Sequence, residues 1–270
     1  MHSDNKKLTG VIGFPLGHSL SPVLHNAIYL NEGINAEMQI YENKDVVELV
    51  RLVRILPLEL VAVTIPHKQT IMSLLDVVDK RAKEVGAVNT VINRSGVLTG
   101  YNTDIIGVER ALASVKIKNK NVLIIGAGGA AQSVAKVVAE TEGNIFCLNR
   151  TKNKAEALVK KFGGQVVTEK KLLDDKIRID VIINTTPFGM KGKYENELPL
   201  SADLVQAYQT VFDCVYNPFE TKLLKLAKER NAKIIPGLKM FVAQALAQEE
   251  LWLEKKIADK NYEEMIKKYL

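Results

Sequence analysis

Cysteine, aromatic residues and long apolar runs are all scarce in this chain of 270 residues. The two cysteines, Cys147 and Cys214, stand far apart with no Cys-x-x-Cys or Cys/His spacing, which argues against a disulfide framework and a cysteine-based metal centre. Both lie in apolar stretches and read as core residues; no metal ligand set is expected. No window approaches the roughly 18 uncharged apolar residues of a membrane-spanning helix. The polar residues 1–7 lead into a strand-like run and not into a secretory leader, so a cytoplasmic protein without membrane partners is expected. Aromatics make up 6% of the chain, and no basic segment is interleaved with them. The net charge of +6, from 37 Lys and Arg against 31 Asp and Glu, therefore does not read as a nucleic-acid stripe. The cations mix with acids on helical stretches such as 81–84 and 154–161, forming solvated faces, and a small anionic ligand accounts for the surplus equally well.

What the chain has in quantity is alternation. With 47% hydrophobic and 25% charged residues it is a globular sequence, long enough for one large domain or two ordinary ones. Residues 8–14 form an apolar run, 15–22 are turn-rich, and helical periodicity starts near Val23. Strands are expected at 36–41 and 59–64, and helices at 45–56, from near Pro66, and over 74–83. Residues 87–93 and 97–101 read as two strands joined by an Asn-Arg-Ser-Gly turn. After a helix from Asp104 to about Val115 and a polar linker, a second series begins: strand 121–126, glycine-rich turn 126–131, helix 132–142 and strand 144–149. Helices at 152–162 and 220–230, with strands near 165–167, 179–184, 210–215 and 233–235, continue it. This predicts a parallel sheet with right-handed crossovers. Helices at 239–256 and 261–269 close the chain, and no repeat or low-complexity segment interrupts it.

Gly126-Ala127-Gly128-Gly129-Ala130-Ala131 matches G-x-G-x-x-A between a strand and a helix. Gly126 suits the tight turn, Gly128 lets the backbone approach a pyrophosphate, and Ala131 allows close helix packing, with helix N–H groups aimed at the phosphates. An NAD site would want an acid at the end of the next strand to bind the ribose 2′-hydroxyl. Here that strand ends Asn149-Arg150-Thr151, with Lys154 one turn beyond. A guanidinium fork fits a 2′-phosphate, so NADP is the expected cofactor.

Four polar motifs stand near strand ends in the first hundred residues: His18-Ser19-Leu20-Ser21-Pro22, Thr64-Ile65-Pro66-His67-Lys68, Gly86-Ala87-Val88-Asn89-Thr90 and Asn102-Thr103-Asp104. Each alone also suits a cap or a turn. Together with the glycine turn they point to a ligand site outside the carboxyl ends of the strands.

These motifs, with His25-Asn26, Asn184-Thr185-Thr186-Pro187-x-Gly189-Met190, Asp213-x-x-Tyr216-x-Pro218, Gly237-x-x-Met240 and Gln244-Ala245, resemble the shikimate dehydrogenases over nearly the whole chain. The resemblance implies an α/β protein of two α/β domains with a deep cleft between them: a substrate-binding and catalytic domain at 1–105 and a Rossmann-type, doubly wound parallel-sheet NADP domain at 106–237. Helices at 238–270 would return to the first domain. It implies NADPH-dependent reduction of 3-dehydroshikimate to shikimate, in aromatic amino-acid biosynthesis, by a monomer or homodimer. Lys68 and Asp104 would be the catalytic pair. Ser19 and Ser21 would bind the substrate carboxylate, and Thr64, Asn89, Tyr216 and Gln244 the ring hydroxyls. Gly126, Gly128, Gly129 and Ala130 would line the pyrophosphate, Asn149, Arg150, Thr151 and Lys154 the 2′-phosphate, and Thr185, Gly237 and Met240 the nicotinamide. A lysine suits ketone reduction because it supplies both a proton and a positive charge where negative charge develops on oxygen. His25 and His67 are rival acids. Ala62, Ile105 and Lys239 depart from the family pattern without removing a catalytic group. Two alternatives stand beside this reading: a quinate/shikimate dehydrogenase with relaxed substrate or cofactor choice, and a non-catalytic ligand-binding paralogue, which would have no need of the Lys68–Asp104 pair.

Overall fold

In the computed structural model, which describes residues 6–17 and 19–270, neighbouring strand residues bury opposite faces of a first sheet. His18 of the first polar motif lies outside the described residues. The chain divides into two units, one formed by the residues up to Asp104 together with Val242–Tyr269, the other by Ile105–Phe241.

The first unit opens with β1 (Lys7–Gly13), α1 (Ser21–Glu32), β2 (Ala36–Glu42), α2 (Val46–Ile55) and β3 (Leu60–Val63). It continues through β4 (Val77–Val78), α3 (Lys80–Val85), β5 (Thr90–Arg94) and β6 (Val97–Tyr101). Side chains alternate across a strand. Val11, Leu60, Ala62 and Ile92 accordingly pack against Tyr29 and Trp252, whereas Ile12, Val61, Val63 and Val91 pack against Leu49, Val50 and Val53 of α2. Fully burying each such aliphatic side chain contributes about 1.5–3 kcal/mol, which is why the period-2 apolar pattern decides the register. The sheet order is β2-β1-β3-β5-β6-β4, with β5 antiparallel to both neighbours. The β5–β6 hairpin turns on Ser95 and Gly96, both at positive φ (52° and 89°), the conformation that matches the twist of a two-residue hairpin.

Of two helices expected here, one is replaced and the other starts late. The segment after Pro66 forms turns and a 3-10 helix at Thr70–Leu74, because the Lys68 carbonyl accepts the Val88 N–H at 2.7 Å and is unavailable to a helix. Residues expected as helix from 74 are drawn onto β6 as β4: Asp76 N–H donates to Leu98 O at 3.1 Å and Asp79 N–H to Gly100 O at 2.9 Å. The helix then starts only at Lys80, capped by the Asp79 carboxylate on Arg81 N–H.

The second unit takes α4 (Asp104–Leu112) from Ile105 on, then β7 (Asn121–Ile125), α5 (Gly129–Glu140), β8 (Asn144–Leu148), α6 (Lys152–Phe162), β9 (Gln165–Val166) and α7 (Glu169–Asp174). It ends with β10 (Val181–Asn184), β11 (Thr210–Asp213), α8 (Lys222–Glu229) and β12 (Lys233–Ile235). All its strand pairs are parallel, in the order β9-β8-β7-β10-β11-β12. Counted from β7, that is the 3-2-1-4-5-6 order of doubly wound dinucleotide-binding sheets, with the switch point between β7 and β10. α9 (Leu238–Leu253) passes into the first unit at Val242, and α10 (Tyr262–Lys267) follows. Among the described residues no helix is long and apolar enough to cross a membrane.

Candidate active site

In the first sheet β1, β3 and β6 run one way and β5 the other, so the carboxyl ends of the three and the amino end of β5 share one edge. The described residues of all four polar motifs sit there. Gly86-Ala87-Val88-Asn89-Thr90 thus enters the site where a strand begins and not where one ends.

Asn89, 2% exposed, is the hub. Its Oδ1 accepts from Thr103 N–H at 2.7 Å and from Thr90 Oγ1 at 2.8 Å. The Asn89 Nδ2 lies 2.9 Å from both Thr103 Oγ1 and Asp104 Oδ1 and 3.1 Å from Gln244 Oε1. The other oxygen of Asp104 accepts from Lys68 Nζ at 2.6 Å. A buried carboxylate is tolerated when both oxygens have donors, and here a lysine and an amide supply them. The backbone braces the same groups: Val63 N–H donates to Asn89 O at 2.7 Å, and Asn102 Nδ2 donates to Ala87 O at 2.8 Å. Lys68, Asp104, Asn89 and Gln244 therefore form one connected cluster.

Ser19 and Ser21 sit together at the start of α1, where the Ser19 hydroxyl accepts the Ser21 N–H at 3.4 Å. Thr64 closes β3, its N–H on Ile12 O at 3.0 Å, with its methyl so close to Gly13 that a Cβ there would approach to 2.5 Å. Tyr216 belongs to the second unit, where its ring stacks on Phe241 at 4.0 Å. The rival acids are otherwise engaged. His67 donates through Nε2 to Asn43 O at 2.8 Å, and His25 is buried, with its Nδ1 hydrogen-bonded to Glu249 Oε1.

In the second unit the proposed cofactor residues follow β7, β8, β10 and β12, so they share the carboxyl edge of one parallel sheet. Gly126, at φ +108°, closes the turn after β7, and a Cβ on it would lie 2.4 Å from Thr185 Oγ1. A Cβ on Gly128 would meet nothing within 4 Å, and Gly128 caps α5 with no side-chain hydrogen bond, so Gly129 and Ala130 begin the helix with N–H groups open to an anion. These features fit a dinucleotide pyrophosphate. At the end of β8, Asn149 Nδ2 donates to Thr151 O at 2.8 Å, while Arg150 and Lys154 are exposed and the stretch 149–154 contains no acid. Thr185 donates to Ile125 O at 2.7 Å, spanning β10 and β7 at the switch point. Gly237 lets the chain close on β11's exit: a Cβ there would lie 2.6–2.8 Å from the carbonyls of Val215, Cys214 and Asp213. Met240, 7% exposed, packs in the first turn of α9.

Behind this edge, Asp213 accepts from Thr221 Oγ1 at 2.7 Å, Asn184 Nδ2 at 2.9 Å and Val215 N–H at 3.0 Å. Burial pushes its carboxyl up to about 7, with the three donors pulling the other way. Burial also pushes the Cys147 thiol up to about 11, consistent with an inert core residue.

Gln248 and Glu249, both buried on α9, lie outside the motifs that the sequence offers. The signal available for Gln248 was its spacing, one helical turn after Gln244.

Residues 11–91 match the model of the shikimate dehydrogenase substrate-binding domain, and residues 109–188 match that of shikimate / quinate 5-dehydrogenase. A shikimate dehydrogenase (NADP(+)) of Methanocaldococcus jannaschii is 41% identical over 260 residues, 91% of either chain. The shikimate dehydrogenase structure of Aquifex aeolicus superposes with a TM-score of 0.88 at 37% identity over 98% of both chains. That of Thermus thermophilus, solved with NADP(H) and shikimate, gives 0.86 at 29% identity over 98% of this chain and 100% of the other. With family models across both units and such identity along nine-tenths of its length, this chain belongs to the shikimate dehydrogenase family.

Proposed function

We propose that the chain catalyses the reversible, NADPH-dependent reduction of 3-dehydroshikimate to shikimate, a step of aromatic amino-acid biosynthesis. The single observation that carries the chemistry is the Lys68–Asp104 contact at 2.6 Å, with Asn89 on the second carboxylate oxygen. NADPH, when bound, supplies a hydride. Gly126, Gly128, Gly129 and Ala130 hold its pyrophosphate, Asn149, Arg150, Thr151 and Lys154 its 2′-phosphate, and Thr185, Gly237 and Met240 border its nicotinamide.

The Lys68 ammonium gives its proton to the carbonyl oxygen as negative charge develops there, and in the reverse direction its amine receives the proton of the hydroxyl. Asp104 orients that ammonium and accepts from the neighbouring substrate hydroxyl. Asn89 and Gln244, with Thr64 and the Tyr216 hydroxyl, fix the remaining hydroxyls, and the Ser19 and Ser21 hydroxyls donate to the carboxylate. The absence of an acid at the end of β8 favours NADP over NAD.

The test is absorbance at the nicotinamide band with shikimate and quinate crossed against NADP+ and NAD+. Turnover of shikimate with NADP+ above the other three pairs is expected. Binding without turnover would mark a ligand-binding paralogue, and preference for quinate or NAD+ would move the chain to the other branch of the family.

A further inference from the structure

One buried side chain beyond the proposed substrate contacts is hydrogen-bonded to the backbone of a residue within them. Gln248 is 1% exposed and lies one turn after Gln244, so the two project from one side of α9. Its Nε2 donates to Asn89 O and to Thr90 Oγ1, each at 3.0 Å. With an acceptor site of Thr90 taken in this way, the Thr90 hydrogen points at Asn89 Oδ1, 2.8 Å away. Without that donor the Thr90 hydroxyl could turn to Thr103 Oγ1, 3.3 Å away. Asn89 Oδ1, held by Thr90 and by the Thr103 N–H, leaves its NH2 only the opposite side, where Asp104 and Gln244 stand. A flipped amide would set its oxygen against the Asp104 carboxylate.

We propose that Gln248 is a positioning residue for the reaction: acting through Thr90 and the Asn89 carbonyl, it fixes the Asn89 amide with its NH2 toward Asp104 and the substrate hydroxyls. This inference rests on the functional reading above.

Gln248→Met keeps the length of the side chain and removes the donor. The expected result is a rise of about 10-fold in KM for shikimate, the scale of one buried hydrogen bond, with kcat and KM for NADP+ nearly unchanged. In an Asn89→Ala background the same change should add almost nothing, because the path runs through Asn89. If Gln248→Met does not fold, Thr90→Val, which breaks the next link, should reproduce the KM shift. An unchanged shikimate KM in a folded Gln248→Met or Thr90→Val variant overturns the inference, as does a full, multiplicative effect on top of Asn89→Ala. Absence of shikimate turnover in the unmodified protein would instead overturn the functional reading on which it rests.

Discussion

Lys68 Nζ sits 2.6 Å from Asp104 Oδ2, yet the lysine side chain keeps 16% of its exposure and the aspartate 4%. The cation of the pair is thus the more open to an incoming ligand, while the anion, braced by Asn89 on its other oxygen, lies directly beside it. General acid–base help is worth about 10²- to 10⁴-fold. Lys68→Ala should therefore lose at least about 100-fold in kcat with modest changes in either KM. Asp104→Asn should lose kcat and also shikimate affinity, and both variants should keep the circular dichroism of the parent. His67→Ala should retain turnover, since its imidazole is committed to Asn43 O. Retention by Lys68→Ala together with loss by His67→Ala would reassign the proton donor.

Arg150 is exposed at the end of β8, in a stretch, 149–154, that contains no acid. Charge-assisted hydrogen bonds contribute about 1.5–3 kcal/mol, so Arg150→Ala should weaken NADP+ binding by roughly 10- to 150-fold and leave NAD+ kinetics almost unmoved. Titration of both cofactors separates the cases: equal losses would make Arg150 a support of the fold.

The paired hydroxyls at the start of α1 make contacts present in ground and transition states alike. The double change Ser19→Ala, Ser21→Ala should raise KM for shikimate and spare NADP+ affinity. Steady-state kinetics with each substrate varied in turn would detect this, and an unchanged shikimate KM would remove both serines from the site.

Asp213 yields a pH dependence of known sign. Its carboxyl is raised from 3.8 to about 7 by burial, so the folded state binds the proton more tightly than the unfolded chain. The stabilisation is complete below about pH 4 and is lost as pH rises through about 7. Urea midpoints of the parent should fall relative to Asp213→Asn across that window and run parallel above it. A difference that does not vary with pH would mean that the Thr221, Asn184 and Val215 donors keep the group ionised throughout.

Local signals carried much of the fold. The strand, glycine turn and helix around Gly126 lie within one βαβ unit whose apolar run, turn chemistry and periodicity agree, and α6 follows where its pattern puts it. β4 was illegible because a strand of two residues, Val77–Val78, has no periodicity of its own and exists only through its pairing with β6. The candidate site divides in the same way. Lys68, Asn89 and Asp104 belong to short motifs that can be noticed singly, but Gln248 reaches Asn89 across 159 positions and Glu249 reaches His25 across 224. Nothing in either neighbourhood announces the other partner.

The return of Val242–Tyr269 to the first unit sets an order of assembly on the ribosome. Ile105–Phe241 is a continuous stretch and has every residue of its parallel sheet available before the end of the chain is made. The earlier-made sheet must wait: Tyr29 lacks the Trp252 ring that packs on it edgewise, and Asn89 lacks Gln244 and Gln248, until the last residues emerge. The unit translated first is thereby the one completed last, and a nascent chain stopped at Phe241 carries Lys68 and Asp104 on a sheet edge whose amide hub lacks two of its partners.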